Sequence, residues 1–251
     1  LTLRDIFWAV AETGVLVIDL VMIGAAVGLI IGIIAKSGLG FALTLWLSQV
    51  GAGNLLLLLI LSAIVCIVLG MGMPTIGVYV LVATLVAPAM VETGISPMAA
   101  HMFVLYYGML SFITPPVCIG AFFAAKLAEA DQMRTGFVAM RFGWSAFVVP
   151  ILFIYSPSLL LEGDPLTLIH DVATAFMGVW LVSAALVGYL ARPMGLTVRL
   201  GLGVAGLALL IPMGTFAGAW WTDLGGFLLA AIILGPDFLA RRRERAASAS
   251  S

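Results

Sequence analysis

The stretch GMGMPT, Gly70 to Thr75, interrupts an apolar run where a lipid-buried helix should be strongest. LLLLLILSAIVCIVL precedes it and IGVYVLVATLVAPAM follows it. Glycine loosens a helix through backbone freedom, and proline removes a ladder N–H. Two glycines and a proline here mark a gap, and the reading of that gap decides the fold.

The surrounding composition sets the solvent. Of 251 residues, 63% are hydrophobic and 9% are charged, with a mean hydropathy of +1.24. A soluble domain carries roughly 25% charge, so this chain cannot cover a water-facing surface. Several runs approach or exceed the roughly 20 apolar residues that cross a bilayer, and none alternates as a barrel strand would. The expected fold is an all-α, polytopic helical membrane protein whose partner is the lipid bilayer. A net charge of −1 argues against nucleic acid. Cys66 and Cys118 are isolated in apolar runs and read as small buried hydrophobes. No HExxH or GxSxG occurs, so no enzyme is expected. The opening LTLRDIFWAVAETG, starting at Leu1, reads as the continuation of a membrane domain, so the chain is expected to be the C-terminal part of a longer one.

Along the chain, an apolar stretch from about Val15 to Ala35 is closed by KSGLG, a cation followed by glycine. FALTLWLSQVGAGN is too short to span and reads as interfacial. Leu55–Leu69 and Ile76–Val91 flank GMGMPT, and ETGISP turns the chain. Ala99–Ile113 and Val117–Ala128 flank a second interruption, TPP (Thr114–Pro116). Phe137–Tyr155 spans, and SPSLLLEGDPLTLIHD (Ser156–Asp171) reads as an acidic loop. Three spans follow, near Val172–Leu190, Val198–Phe216 and Leu224–Leu239, before the tail RRRERAASASS. The basic clusters Arg241–Arg243 with Arg245, Arg192 with Arg199, and Lys126 to Arg141 all fit one orientation, with the C-terminus cytoplasmic. Trp220 and Trp221 then fall in an outer aromatic belt.

Each arm beside GMGMPT is about 15 residues, or roughly 23 Å of helix. Together they are too long for one crossing and too short for two. A re-entrant hairpin over 55–91 is expected, followed by one discontinuous crossing over 99–128 and a helix over 137–155. Breaks in lipid free backbone groups that protein or a watery cavity must satisfy. If the two breaks face each other, helix C-termini near Leu69–Gly70 and Ile113 offer carbonyls. Helix N-termini near Pro74–Thr75 and Pro116–Val117 offer N–H groups. Carbonyls with the Thr75 and Thr114 hydroxyls suit a bare cation; the N-terminal ends suit a carboxylate. That combination is the midplane site of secondary transporters. A channel-like or purely structural scaffold is the alternative.

GMGMPT, ATLVAPAMVETGISPMAAHMF and LSFITPPVCIGAFFAA together resemble the large membrane subunit of TRAP transporters, which are tripartite and ATP-independent. The resemblance covers Leu1 to about Leu160, and its most specific part is TPP with the upstream Gly94–His101. The Gly–Pro–Thr break without an aspartate is more similar to TAXI-type fused permeases. The resemblance implies one half of an inverted-repeat, elevator-type carrier, residues 1–160 forming the second repeat and 161–251 an extension of three helices. It implies sodium-coupled uptake of small organic acids at a bacterial or archaeal inner membrane. A periplasmic binding protein would deliver the substrate. A small membrane subunit or a fused N-terminal region would complete the assembly. On the matching positions it implies an ion- and substrate-binding site at Gly70, Gly72, Pro74, Thr75, Thr114, Pro115 and Pro116. Sodium would bind at Gly70, Gly72, Thr75, Thr114 and Pro116, with no other cofactor. His101 is expected to cap or anchor its helix, and Arg141 to mark topology. Asp19 is an intramembrane acid by register. Thr84 and Ser111 stay outside the expected site.

Overall fold

The computed structural model describes residues 3–51, 53–190, 193–213 and 218–248; the side chain of Asp19 and those from 236 onward lie outside the described set. Its regular elements are helical, and the chain divides into two compact units, Leu1–Pro150 and Ile151–Ser251.

In the first unit, α1 (Leu3–Ser37) ends where KSGLG indicates, with Gly38 at φ +72°. The helix is longer than its apolar stretch at both ends. α2 (Leu39–Gly51) follows, then α3 (Leu55–Gly70), which Asn54 caps by accepting from the Leu57 N–H at 3.1 Å. The second arm is not continuous: α4 (Thr75–Leu85) and α5 (Ala87–Glu92) meet at Val86. Pro88 explains the interruption, since it supplies no N–H to the Thr84 carbonyl one turn back. At the same joint the Leu85 carbonyl accepts from Thr44 Oγ1 of α2 at 3.3 Å.

α6 (Pro97–Leu110) packs against both arms of the hairpin. The reason lies in its partners' periodicity. The buried residues of α3 are Leu58, Leu59, Ser62, Ala63, Cys66 and Gly70, a helical stripe that turns small toward the break. α6 answers with Phe103, Tyr107 and Gly108 on one buried face. Ser96 caps α6, accepting from the Ala99 N–H at 3.2 Å, so His101 does not cap it. His101 instead anchors α6 to α4, its Nδ1 lying 3.1 Å from Tyr79 Oη. Beyond the second break come α7 (Ile119–Leu127), α8 (Gln132–Phe142) and α9 (Trp144–Tyr155). The expected helix over 137–155 is thus two helices bent by 44°, and the first of them starts earlier because Asp131 caps it through the Arg134 N–H. Gly143 sits at the bend, where an added Cβ would lie 2.9 Å from Ile113 Cδ1.

The second unit corrects three expectations. The acidic stretch 156–171 is only partly a loop. A 3-10 turn covers Pro157–Leu160, and α10 (Pro165–Val187) starts before Val172, because Asp164 caps it and Pro165 preorganises its first turn. α11 (Leu196–Leu209) stops well short of Phe216, which lies outside the described residues. Pro212 gives the Ala208 carbonyl no N–H, and the Ile211 N–H takes that place at 3.3 Å. α12 (Trp220–Ser248) begins with the tryptophan pair in its first turn, the rings stacked 3.9 Å apart, rather than in a preceding turn.

α11 packs between α10 and α12 around Leu181, Ala185, Leu202, Ala205, Leu209 and Ala230. The α10–α11 crossing is backbone against backbone. A Cβ at Gly178 would meet the Gly206 carbonyl oxygen at 2.8 Å, and one at Gly206 would meet that of Gly178 at 2.8 Å. Arg199, expected only as a topology marker, also donates Nε to the Ala185 carbonyl at 2.9 Å, closing the C-terminal end of α10. Gly206→Val is expected to force the two helices apart and cost about 1–3 kcal/mol. A lowered thermal midpoint in detergent checks it; an unchanged midpoint would refute the close crossing.

Among the described residues, two helical stretches are individually long and apolar enough to cross a membrane, Thr75–Glu92 and Pro165–Val187. Up to four stretches are long and apolar enough if each bent pair counts as one span. The second hairpin arm, at 18 residues, is therefore longer than its apolar α3 partner of 16.

Candidate functional site

Proline chemistry shows which carbonyls each break empties. A helical carbonyl accepts from the N–H four residues on. Pro74 therefore leaves Gly70 without its ladder donor, while Pro115 and Pro116 do the same to Ser111 and Phe112. These three carbonyls define the site more closely than the glycines do.

At the first break, the Met71 N–H folds back to the Val68 carbonyl at 3.3 Å and Gly72 takes φ +78°. Pro74, extended at ψ 152°, is the N-cap of α4 rather than a residue of its first turn, and Thr75 is the first helical residue. Gly72, Pro74 and Thr75 are exposed; Gly70 is buried.

The second break is wider than TPP alone. α6 ends at Leu110, and α7 begins at Ile119 with Cys118 as its N-cap. Pro116 therefore lies inside the gap and not at a helix N-terminus, and the helical ends near Ile113 and Val117 are displaced to Leu110 and Ile119. The Pro115–Pro116 peptide bond is cis. The Gly120 N–H reaches back across the gap to the Phe112 carbonyl at 3.0 Å, satisfying one of the emptied acceptors. Thr114 Oγ1 donates to the Leu110 carbonyl at 2.7 Å, which occupies its hydrogen and leaves oxygen lone pairs free of that bond.

One side chain joins the two gaps. Ser111 Oγ, buried, lies 2.9 Å from the Gly70 carbonyl and 2.7 Å from that of Gly108. The C-terminal ends of α3 and α6 thus meet through the carbonyl that Pro74 emptied. The approach demands glycine: a Cβ at Gly70 would lie 2.6 Å from the Gly108 carbonyl oxygen, and one at Gly108 would lie 2.6 Å from Val78 Cγ1. Behind the second break, α8 presses Gly136 against it, where a Cβ would be 2.8 Å from Cys118 Sγ and 3.0 Å from Pro115 Cγ.

Ser111 is the residue that sequence reasoning set aside. A serine ending an apolar helix one turn before a proline could have flagged it, since that is where a carbonyl loses its donor. Ser111→Ala leaves the buried Gly70 carbonyl with only the long contact from the Met73 N–H at 3.5 Å and is expected to cost about 1 kcal/mol. Thermal unfolding of the purified variant reads this directly; stability equal to wild type would show that another donor takes over.

Neither Val68–Val78 nor Gly108–Gly120 contains an acid or a base. The junction therefore offers neutral carbonyls and hydroxyls, a donor set that hard monovalent cations accept. Thr84, by contrast, spends its hydroxyl on the Val80 and Leu81 carbonyls of its own helix.

Apolar helices, a helix–gap–helix pair and a second broken helix joined to it are the features of a multi-pass helical membrane protein. The family model of the DctM component of tripartite ATP-independent periplasmic transporters matches residues 1–159, and the chain belongs to that family. It is a TRAP transporter large-permease component, and the family is one of transporters, not of enzymes. In general such a component works with a binding protein and a small membrane subunit. No curated protein and no solved structure matches the chain.

Proposed function

We propose that this chain is part of a sodium-coupled TRAP permease that takes up small organic acids through the inner membrane. A periplasmic binding protein delivers the substrate. In this reading the 55–91 hairpin is re-entrant, the 99–128 segment is a discontinuous crossing, and the C-terminus is cytoplasmic. Residues 1–160 act as one repeat of an elevator-type pair, with the remaining helices as an extension of the TAXI type.

The observation that carries the reading is the Ser111–Gly70 hydrogen bond, which ties the two helix breaks together. Sodium is held by backbone and hydroxyl oxygens at Gly70, Gly72, Thr75, Thr114 and Pro116. Pro74 and Pro115 empty the carbonyls and shape the gap. The substrate carboxylate faces the N-terminal end of α4, whose first N–H groups carry partial positive charge. An uncharged donor set supports a monovalent cation over a divalent one, because no carboxylate is present to offset a second charge.

Uptake by the complete transporter, reconstituted with its binding protein and driven by an inward sodium gradient, tests the proposal. Uptake should collapse when potassium replaces sodium at equal ionic strength. Equal uptake in both salts would remove coupling from this site and favour the channel-like scaffold.

A further inference from the structure

The second unit carries an apolar groove that lies beyond the residues the family model matches. It runs between α10 and α12 and has a volume of about 470 Å³. Phe176, Met177 and Trp180 form one wall, and Phe227, Ala231 and Leu234 form the other. Phe176 is 77% exposed and Phe227 53%, so the groove opens outward from the helix pair. Its lining side chains are all apolar.

Charge divides the two ends of this groove. His170 of α10 lies between two acidic side chains, its Nδ1 3.3 Å from Asp171 Oδ1 and its Nε2 3.6 Å from Asp223 Oδ2 of α12. The two helices therefore start at the same end, and Glu162 and Asp164 precede α10 there. The opposite end is basic. Arg199 donates to the Ala185 and Leu186 carbonyls where α10 finishes. α12 continues as helix through Arg241, Arg242, Arg243 and Arg245. Trp220 to Arg241 is about 30 Å of helix, one hydrocarbon thickness. With the tryptophan pair at one headgroup layer, the arginines start at the other. At 3.6 residues per turn, four arginines within five positions occupy most of the helix circumference, the groove side included.

The dimensions choose the occupant. From Phe227 to Leu234 is about 11 Å of helix, so the groove averages about 40 Å² in cross-section. An α-helix, at least about 10 Å across, needs roughly twice that and could rest only on the rims. We propose that the groove binds an acyl chain of an anionic phospholipid from the leaflet at the arginine end, with the arginines of 241–245 holding the headgroup phosphate. The apolar walls do not choose between lipids, because lipid tails are as apolar as leucine; they gain dispersion contacts from whichever chain fills the space. The headgroup supplies the choice. Clustered arginines next to an apolar helix attract an anion, and the acidic end disfavours one. This site is independent of ion binding at the helix breaks.

Trp180, 45% exposed in the groove wall, is the reporter, since bromine carried on an acyl chain quenches tryptophan on contact. The full chain is placed in vesicles of unbrominated phosphatidylcholine containing a minor fraction of dibrominated phosphatidylglycerol. The difference from Trp180→Phe isolates the Trp180 signal. Its quenching should exceed that given by the same fraction of dibrominated phosphatidylcholine about fivefold or more. Arg241→Gln combined with Arg245→Gln should bring the two lipids level, while Arg242 and Arg243 remain to hold topology. Ala231→Phe, at an exposed position, should fill the groove and abolish the excess. Equal quenching by the two lipids in the wild-type chain means annular lipid only, and no quenching of Trp180 by either means that a protein segment covers the groove. Either result overturns the proposal, as does an excess that survives both sets of substitutions.

Discussion

Gly70→Ala is expected to abolish uptake and destabilise the first unit by about 1–3 kcal/mol. The methyl group would have to occupy a point 2.6 Å from the Gly108 carbonyl oxygen and 2.9 Å from Ser111 Oγ. The first obstacle is backbone, so no rotamer change relieves it. α3 must withdraw from α6, and the Ser111–Gly70 bond is broken with it. Gly72→Ala is the instructive comparison. Nothing lies within 4 Å of its added Cβ, but φ is +78°. Its cost is therefore local strain of about 1–2 kcal/mol, with the seam intact. Thermal unfolding and uptake measured side by side distinguish the two. Should Gly70→Ala melt and transport like wild type, α3 and α6 do not approach as described.

Thr114→Ala is expected to weaken the sodium dependence of uptake by about tenfold, ~1.4 kcal/mol, while leaving expression intact. Its hydroxyl already donates to the Leu110 carbonyl, so the side chain is oriented with oxygen lone pairs available to a cation. Removing it takes away one neutral ligand without adding bulk. Thr84→Ala serves as the control, because that hydroxyl caps carbonyls of its own helix away from both breaks. Sodium titration of initial uptake rates is the measurement. An unaltered half-saturating sodium concentration in Thr114→Ala would remove Thr114 from the proposed site.

The features legible in advance share a physical origin. Pro74, Pro115 and Pro116 each delete an N–H, and that deletion acts on a carbonyl only four residues away. Gly38 closes α1 for a similarly local reason. The misreadings were of two kinds. Local signals were under-read where Asp164 with Pro165 lengthens α10, and where Pro212 shortens α11. Ser111 and His170 were missed for a different reason. The proline one turn after Ser111 and the aspartate beside His170 are local hints, but their meaning depends on Gly70 and Asp223, which are 41 and 53 positions away.

Hydropathy and the prolines by themselves determined that this is a multi-pass helical protein with two gaps in its apolar runs. Those properties depend on solvent preference and on hydrogen bonds spanning a single turn. Only the tertiary structure decided that the gaps touch, that Ser111 joins them, and that His170 lies between two carboxylates. Such pairings depend on how closely glycine-lined helices approach, a distance set by side-chain and backbone contacts between segments remote in the chain.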